Sequence, residues 1–448
     1  MYRDITRRGL LRNALIATSG FAFGGVAGSR VYAAPASYKG KLLVTLQLNG
    51  GADVTCFCDP KENTPGEPDI NHWADTAGRM TKGKISYAPF AQNQKFFNKY
   101  YKQMMVVNGV DAQTNSHSTG ILYNWSGRNA VGAPSITALH AAKRSPQHAM
   151  GYTTFGGYSQ TGNLLRFTRV NDLNAIRSLL NPTVNPWDGG NTRPTNETRL
   201  VESYVDDSLK QLKSSGLSPR QMATVEAYTQ ARNSRQGLAN LFDIMPSADD
   251  MVPDDYVATP MGWNSDLKRR MQGALLIFKA GLGSAADLEL GGFDSHDAND
   301  GWQDPLLSHT TEAIDFFWSY AQELGLANRI TLLIGSDFGR TNFYNDADGK
   351  DHWPIGSYIV MEKNPVWGNR VVGHTDELHN ALKVNPKTLM PDQSKGVNIL
   401  PSHVHLALRQ YLGLEGFANE AGFRLDVESL PLFDRSRSTI SKLWSSEF

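Results

Sequence analysis

Apolar residues follow two spacings along this chain. Short, nearly unbroken runs occur at 41–48 (KLLVTLQL), 104–110 (MMVVNGV), 285–290, 329–335 (RITLLIG) and 356–361 (GSYIVM). Runs of that length bounded by glycine predict buried strands. Between them, apolar positions recur at helical spacing over 136–143, 197–213, 219–245, 266–280, 305–324 and 402–412. The last of these opens on Ser402 and is followed by Gly413, a start and stop pair for a helix. Strands that alternate with helices predict an α/β domain, a sheet with helices on both faces. The stretch from about 195 to 280 is nearly all helix and reads as an insertion between the second and third strands. Segments 59–100 and 150–195 are rich in Gly, Pro, Asn and Thr and read as long loops, the kind that cover a site.

Charge changes the picture at one end. The 448 residues carry 44 basic and 44 acidic side chains. That balance speaks against a nucleic-acid binder, which would show a basic excess. Residues 1–33 hold Arg3, Arg7, Arg8, Arg12 and Arg30 with Asp4 as their one acid, so the rest of the chain keeps 39 basic and 43 acidic residues. Arg7-Arg8-Gly9-Leu10-Leu11 precedes a charge-free stretch, Asn13 to Ser29, and small residues at Ala33-Ala34. A basic start, an apolar middle and a cleavage site in that order predict a twin-arginine export signal over 1–33 and a periplasmic or exported protein. The apolar middle is short and weakly apolar for a membrane span, with an uncleaved anchor as the alternative reading; no later segment reaches spanning length, so no span is expected once the signal is removed. Two cysteines, Cys56 and Cys58, exclude a disulfide scaffold. Their spacing fits no zinc ribbon or finger, and they read as buried thiols.

Candidate chemistry gathers where strands end. Asp53 follows the first run, Asp294 the third and Asp337 the fourth. In an open α/β sheet, sites form beyond the carboxyl ends of strands, so the three acids can converge there. His296 lies two residues after Asp294, on the same side of an extended segment, and His352 sits between the fourth and fifth strands. Asp and His together suit zinc or manganese, one ion or two. His117 is flanked by Ser116, Ser118 and Thr119 before a helical stretch. A hydroxyl there could be activated by a metal as a nucleophile.

These segments together resemble a bacterial family filed as domain of unknown function 1501, placed in the alkaline phosphatase-like superfamily. The matching segments are the twin-arginine start, Gly50-Gly51-Ala52-Asp53, Ser116-His117, Gly291-Gly292-Phe293-Asp294-Ser295-His296, Ser336-Asp337-Phe338-Gly339-Arg340-Thr341 and Asp351-His352. The resemblance implies an alkaline phosphatase-like three-layer sandwich over 34–448, with a mostly parallel sheet. It implies that Asp294, His296 and His352 hold one divalent ion, and that Asp53, Asp337 and a nucleophile, Ser116, hold another. In a hydrolase Arg340 would hold the substrate anion; the alternative reading is a structural salt bridge. Three departures stand out. Phe338 replaces the histidine that usually follows the acid, which leaves the second ion a ligand short unless His117 completes it. The sulfatase motif is absent around Ser116. Pro354 and its neighbours replace a Gly/His-rich continuation.

Two functions fit this pattern. One is an exported metal-dependent hydrolase acting on phosphate or related esters, of a small molecule or a polymer. The other is a non-catalytic exported scaffold, or partner-binding protein, that keeps the fold.

Overall fold

A computed structural model describes residues 37–171, 195–233, 235–247 and 249–433. The expected export signal at 1–33 lies outside the described residues, as does most of the second half of the 150–195 segment. In chain order the main elements are β1 (Leu42–Leu48), α1 (Asn93–Tyr100), β2 (Met104–Asp111), α2 (His117–Ser126), α3 (Ile136–Arg144), β3 (Tyr152–Thr154), β4 (Thr168–Arg169), α4 (Thr195–Ser214), α5 (Pro219–Asn233), α6 (Arg235–Ile244), α7 (Leu267–Lys279), β5 (Ala285–Leu290), α8 (Asn299–Glu323), β6 (Ile330–Ser336), β7 (Ile355–Glu362), β8 (Arg370–Val372) and α9 (Pro401–Tyr411).

The strands form one eight-stranded sheet in the order β8-β2-β7-β6-β1-β5-β3-β4. Its pairings are parallel except where β7 meets β6 and β2. Parallel strands need helical crossovers, and the helices cover both faces. Along β1, Leu42, Val44, Leu46 and Leu48 face a layer built from α1, α7 and α8. Leu43 faces the opposite layer, where Trp125 of α2, Leu139 of α3 and Leu408 of α9 pack. Each fully buried side chain of this kind contributes roughly 1.5–3 kcal/mol. The result is the expected three-layer α/β domain with a mostly parallel sheet.

Several elements differ from the expectation. The helical excursion ends with α6. The next helix, α7, is a core helix whose Met271, Leu275 and Phe278 are buried against the sheet. Helix α8 starts at Asn299 and runs through Pro305, ahead of the expected proline start. Buried polar contacts of Asn299 and Gln303 hold that extra turn. The 59–100 segment carries a short hairpin (Met80–Lys82 and Ile85–Tyr87) and α1, whose Phe96 and Phe97 stack with Phe57 and Tyr87. Among the described residues no helix is long and apolar enough to cross a membrane.

What matters for the site is the centre of the sheet. Strand β1 lies between β5 and β6, with Leu48 level with both Leu290 and Ser336. The three strand ends that carry Asp53, Asp294 and Asp337 therefore emerge side by side.

Candidate metal centre

The Gly50–Gly51 turn organises the ends of the strands. Both residues have positive φ, 114° and 84°. A Cβ on Gly50 would stand 2.5 Å from the Asp294 amide nitrogen, and one on Gly51 would stand 2.9 Å from the Arg340 guanidinium. Only glycine lets the backbone pass this closely. The two amides of the turn point at Asp337 Oδ1, at 3.2 Å from Gly50 and 2.7 Å from Gly51. Their carbonyls face the other way and accept from Arg340, Gly51 from Nε at 2.9 Å and Gly50 from Nη2.

Arg340 is completely buried. Its remaining contacts are Nη1 to the Lys350 carbonyl at 2.9 Å and Nη2 to Asp294 Oδ1 at 2.7 Å. All three nitrogens of its fork are thus spent inside the protein. The expected role as a clamp for a substrate anion does not fit this geometry, because a buried guanidinium bonded to three carbonyls and a carboxylate has no free face. Instead Arg340 positions Asp294. Partial burial opposes ionisation of Asp294, but the Arg340 charge and hydrogen bond, with help from His352 and His117, hold its carboxyl below the ordinary carboxylate range.

Three imidazoles surround Asp294. His296 Nε2 lies 3.1 Å and His352 Nε2 3.2 Å from Asp294 Oδ1, and the two Nε2 atoms are 3.0 Å apart. The other nitrogen of each ring is occupied. His352 Nδ1 is 2.7 Å from the Asn115 carbonyl, and His296 Nδ1 is 2.7 Å from the Asp351 carboxylate. A carbonyl or carboxylate can only accept, so Nδ1 carries a hydrogen, which leaves Nε2 as the ring atom able to offer a lone pair to a metal. Two imidazole nitrogens and a carboxylate oxygen within 3.2 Å of one another need a proton or a metal ion among them. Donors on a tetrahedral zinc with bonds of 2.0–2.1 Å lie about 3.3 Å apart, so this trio fits such an ion. Nδ1 atoms tied back to acceptors are the usual support of metal-binding histidines.

His117 opens α2 and completes the ring of imidazoles. Its Nδ1 is 2.6 Å from Asp337 Oδ2 and its Nε2 is 3.4 Å from Asp294 Oδ2. With Asp294 and His352 it offers donor atoms that all lie within 4.8 Å of one another. The hydrogen bond to Asp337 raises the His117 pKa, against the opposing effect of burial. Asp337 itself is buried and faces the Gly50 and Gly51 amides and His117, so the structure places it behind His117 as a support. Phe338 lies under the rings of His117 and His352, with centroids at 4.7 and 4.6 Å. Asn124 Nδ2 donates to the Asp337 carbonyl at 2.7 Å and pins α2 to the end of β6.

Asp53 is not brought to this cluster. It is fully buried and 2.7 Å from the Lys350 ammonium, which is also fully buried. Thr55 Oγ1 and Asn299 Nδ2 add hydrogen bonds at 2.6 and 3.2 Å. Burial alone would raise the Asp53 pKa, but Lys350 outweighs it and the net direction is down. A carboxylate neutralised by an ammonium inside the protein is not available to an ion at the surface. The expected second ion, held by Asp53, Asp337 and a nucleophile, therefore has no shared ligand set among the described residues. Ser116 is exposed at the start of α2, and its hydroxyl lies 3.2 Å from Ser118 Oγ with no acid or imidazole bonded to it. Cys56 and Cys58 are buried free thiols, as their spacing suggests.

Of the eight residues singled out in the sequence, Asp294, His296, His352 and His117 meet; Asp337 and Arg340 support them; Asp53 and Ser116 stand apart. Sequence reasoning missed the Asn115 carbonyl and Lys350, and it named Asp351 only as part of the Asp351-His352 segment without its supporting role. Asp351 and Lys350 directly precede His352, and that adjacency was the one signal available. The cluster lies at the surface, with the Asp294, His296 and His352 side chains 46%, 48% and 22% exposed. A cavity of about 610 Å³ opens nearby against Asn49, Ile121, Glu289 and Arg270, but none of the cluster residues lines it.

The family model described as "Protein of unknown function (DUF1501)" matches residues 40–395, and the chain belongs to that family. No curated protein matches the sequence. Among solved structures the chain is similar to one from glycosaminoglycan metabolism in Bacteroides thetaiotaomicron, at 9% identity and a TM-score of 0.41, covering 89% of this chain and 78% of that one. It is also similar to the lipoteichoic acid synthase LtaP of Listeria monocytogenes, at 8% identity and a TM-score of 0.37, covering 91% and 79%. A third is a protein in the alkaline phosphatase superfamily from Vibrio parahaemolyticus, at 9% identity and a TM-score of 0.35, covering 90% and 72%. Likeness at this level speaks to no activity.

Proposed function

We propose that this family member is an exported, metal-dependent hydrolase of phosphate or related esters. The observation that carries the reading is the trio of Asp294 Oδ1, His296 Nε2 and His352 Nε2, pairwise 3.0–3.2 Å apart with both rings tied back at Nδ1. These three residues would hold a single divalent ion of the zinc or manganese type. Three protein ligands with a free position are the arrangement of a catalytic ion, whereas four closed ligands mark a structural one. When bound, the ion supplies Lewis acidity toward an ester oxygen.

The chain's own residues do the rest. Arg340 keeps Asp294 ionised and fixed in direction. Asp351 and the Asn115 carbonyl fix the hydrogen of each ligand histidine on Nδ1. Asp337, gripped by the Gly50–Gly51 amides, does the same for His117. Solvent exposure of the cluster leaves room for an ester on a small molecule or at the edge of a polymer. The twin-arginine start is the basis for export, which replacing Arg7 and Arg8 by lysine should block, leaving the full-length chain in the cytoplasm.

The test is a metal analysis of the purified protein beside turnover of aryl phosphate mono- and diesters, repeated with Asp294→Ala and His352→Ala. The expected result is a bound divalent ion and ester cleavage, both lost in the two variants. A wild type that holds no ion, with variants that behave alike, would sink the reading. An ion without cleavage of any ester would favour the scaffold.

A further inference from the structure

We infer that the cleft beside the metal cluster binds carbohydrate, and that the ester to be cleaved is carried on a sugar; the second clause rests on the hydrolase reading above. The cavity of about 610 Å³ adjoins a second of about 280 Å³. The two share Phe155, Val170, Asn171, Asp266 and Arg270, so together they form one elongated cleft. Cavities of roughly 300–1,000 Å³ hold a small organic ligand, which is more space than a phosphate group alone requires.

The cleft begins where the cluster ends. Asn49, in its wall, directly precedes the Gly50–Gly51 turn, and its carbonyl accepts from the Phe293 amide, one residue before Asp294. Ile121, also in the wall, lies one helical turn beyond His117 on the same face of α2. A molecule seated in the cleft can therefore bring one end to the cluster.

The walls are held in place before any ligand arrives. Residues 155–160 form one of them. The Gly157 amide donates to Glu289 Oε2 at 2.5 Å and the Tyr158 amide to Gln47 Oε1 at 2.6 Å. Gly156 and Gly157 have φ of 126° and 74°, and a Cβ on Gly156 would stand 2.5 Å from Glu289 Oε2. Arg270 Nη1 donates to the Phe155 and Glu289 carbonyls, both at 3.0 Å. Walls fastened by contacts so far apart in sequence are preorganised, which lowers the cost of binding.

The chemistry of the lining selects the ligand. Three arginines, Arg169, Arg269 and Arg270, face three carboxylates, Asp254, Asp266 and Glu289, and their charges cancel. Arg270 pairs with Asp266 at 2.7 Å and Arg269 with Asp254 at 2.8 Å. A balanced lining exerts no net pull on a polyanion or a polycation. Phe155 and Val170 are buried, so little apolar surface is open to a lipid chain or an apolar side chain. Arg169, Gln160 and Asn171 are exposed, and Asp266 is partly so. A hydroxyl both donates and accepts, and an arginine–carboxylate pair or an amide offers both roles side by side. Neighbouring hydroxyls of a sugar match such a surface, and the length of the cleft suits a short saccharide.

The labelled protein, loaded with zinc or manganese and in parallel stripped of metal, is applied to an array of neutral and phosphorylated mono- and oligosaccharides. The expected result is binding to a subset of these glycans in both forms, because the cleft does not include the cluster, and release of inorganic phosphate from phosphorylated ones by the loaded form. Asp266→Asn and Asn171→Ala should each weaken glycan binding by about tenfold while bound metal is unchanged. Asn171 is exposed, so its variant folds even where Asp266→Asn does not. No glycan bound by either form, or binding that neither variant weakens, would overturn the inference. So would phosphate release from nucleotides or phosphopeptides at a KM about tenfold or more below that of every sugar phosphate. Glycan binding that the variants weaken, with no ester cleaved by the wild type, fells the hydrolase reading and the ester clause with it, and leaves the carbohydrate cleft standing.

Discussion

Two Gly-Gly-x-Asp turns leave adjacent parallel strands, Gly50–Asp53 after β1 and Gly291–Asp294 after β5. Their aspartates end in opposite environments. Asp53 is sealed in the protein against Lys350, with Thr55 and Asn299 completing its hydrogen bonds. Asp294 is nearly half exposed, bonded to Arg340 and ringed by three imidazoles. Both carboxylates are ionised by a cation, but Lys350 neutralises Asp53 as a closed pair, whereas Arg340 is shared with three carbonyls and leaves Asp294 an outward-facing oxygen set. An acid at a strand end is thus sealed in a closed ion pair or left facing solvent and imidazoles according to what closes over it.

The largest effect expected from breaking this contrast is on the buried pair. Replacing Lys350 with Met leaves a buried, unpaired carboxylate and should lower unfolding stability by about 3–5 kcal/mol, read from urea midpoints. Asp53→Asn should act in the same direction, and in both variants the folded fraction should keep its metal. A metal-free Asp53→Asn that folds as well as wild type would erase the contrast. Asp294→Asn should do the reverse: bound metal falls to background in elemental analysis, while stability of the metal-free protein shifts by less than about 1 kcal/mol, because Arg340 keeps its carbonyl partners and the amide can still accept.

A smaller effect sharpens the picture of the open site. Asp351 is exposed and touches His296 only from behind. Asp351→Asn should weaken metal binding about 10–100-fold with no change in the urea midpoint, measured by competition with a chelator. An unchanged affinity would mean that His296 is not oriented by this contact.

The smallest test compares histidines instead of acids. His140, His379 and His405 are buried away from the cluster, and burial first of all pushes their pKa values down, to about 4, about 4 and about 3. His405 is kept neutral with Nε2 against the Asn124 carbonyl. A base with a depressed pKa contributes its full stability above its unfolded value near 6.5 and loses it as pH falls toward the folded value. The stability gap between wild type and His405→Gln should therefore shrink by up to about 1.4 kcal/mol per pH unit below pH 6.5. A gap that is flat between pH 7 and 5 would show that His405 is not held neutral.

Much of the fold could be read directly. All five apolar runs are strands of the sheet, since an unbroken run of that length has no other way to bury itself between two helical layers. Helix α1 escaped notice because its sequence, NQKFFNKY, shows too few apolar positions to set a period. The small strands β3, β4 and β8 have two or three residues each, too short for any pattern. For the site, the histidines and Asp294 were legible because they flank strand ends. The roles of Arg340, Asp337 and Lys350 were not, because each depends on a partner far away in sequence. Asp287 is a further case: it lies inside β5, where alternation predicts nothing polar, and is fully buried among the hydroxyls of Thr45, Thr137 and Tyr152. Burial raises its pKa to about 6.

The sequence alone determined the strand runs, the glycines that let the chain turn sharply after them, and the set of acids and imidazoles delivered to one edge of the sheet. These are local properties, set by the period of side chains along an element and by the φ a residue can adopt. Only the tertiary structure decided which acid meets which cation. Asp53 and Lys350 are 297 positions apart and His117 and Asp337 220 apart, and contacts of about 3 Å between them exist because β1, β5 and β6 lie side by side. Hydrogen bonds and ion pairs act over a few ångströms, so a role that depends on them is fixed by strand order and not by the residues taken one at a time.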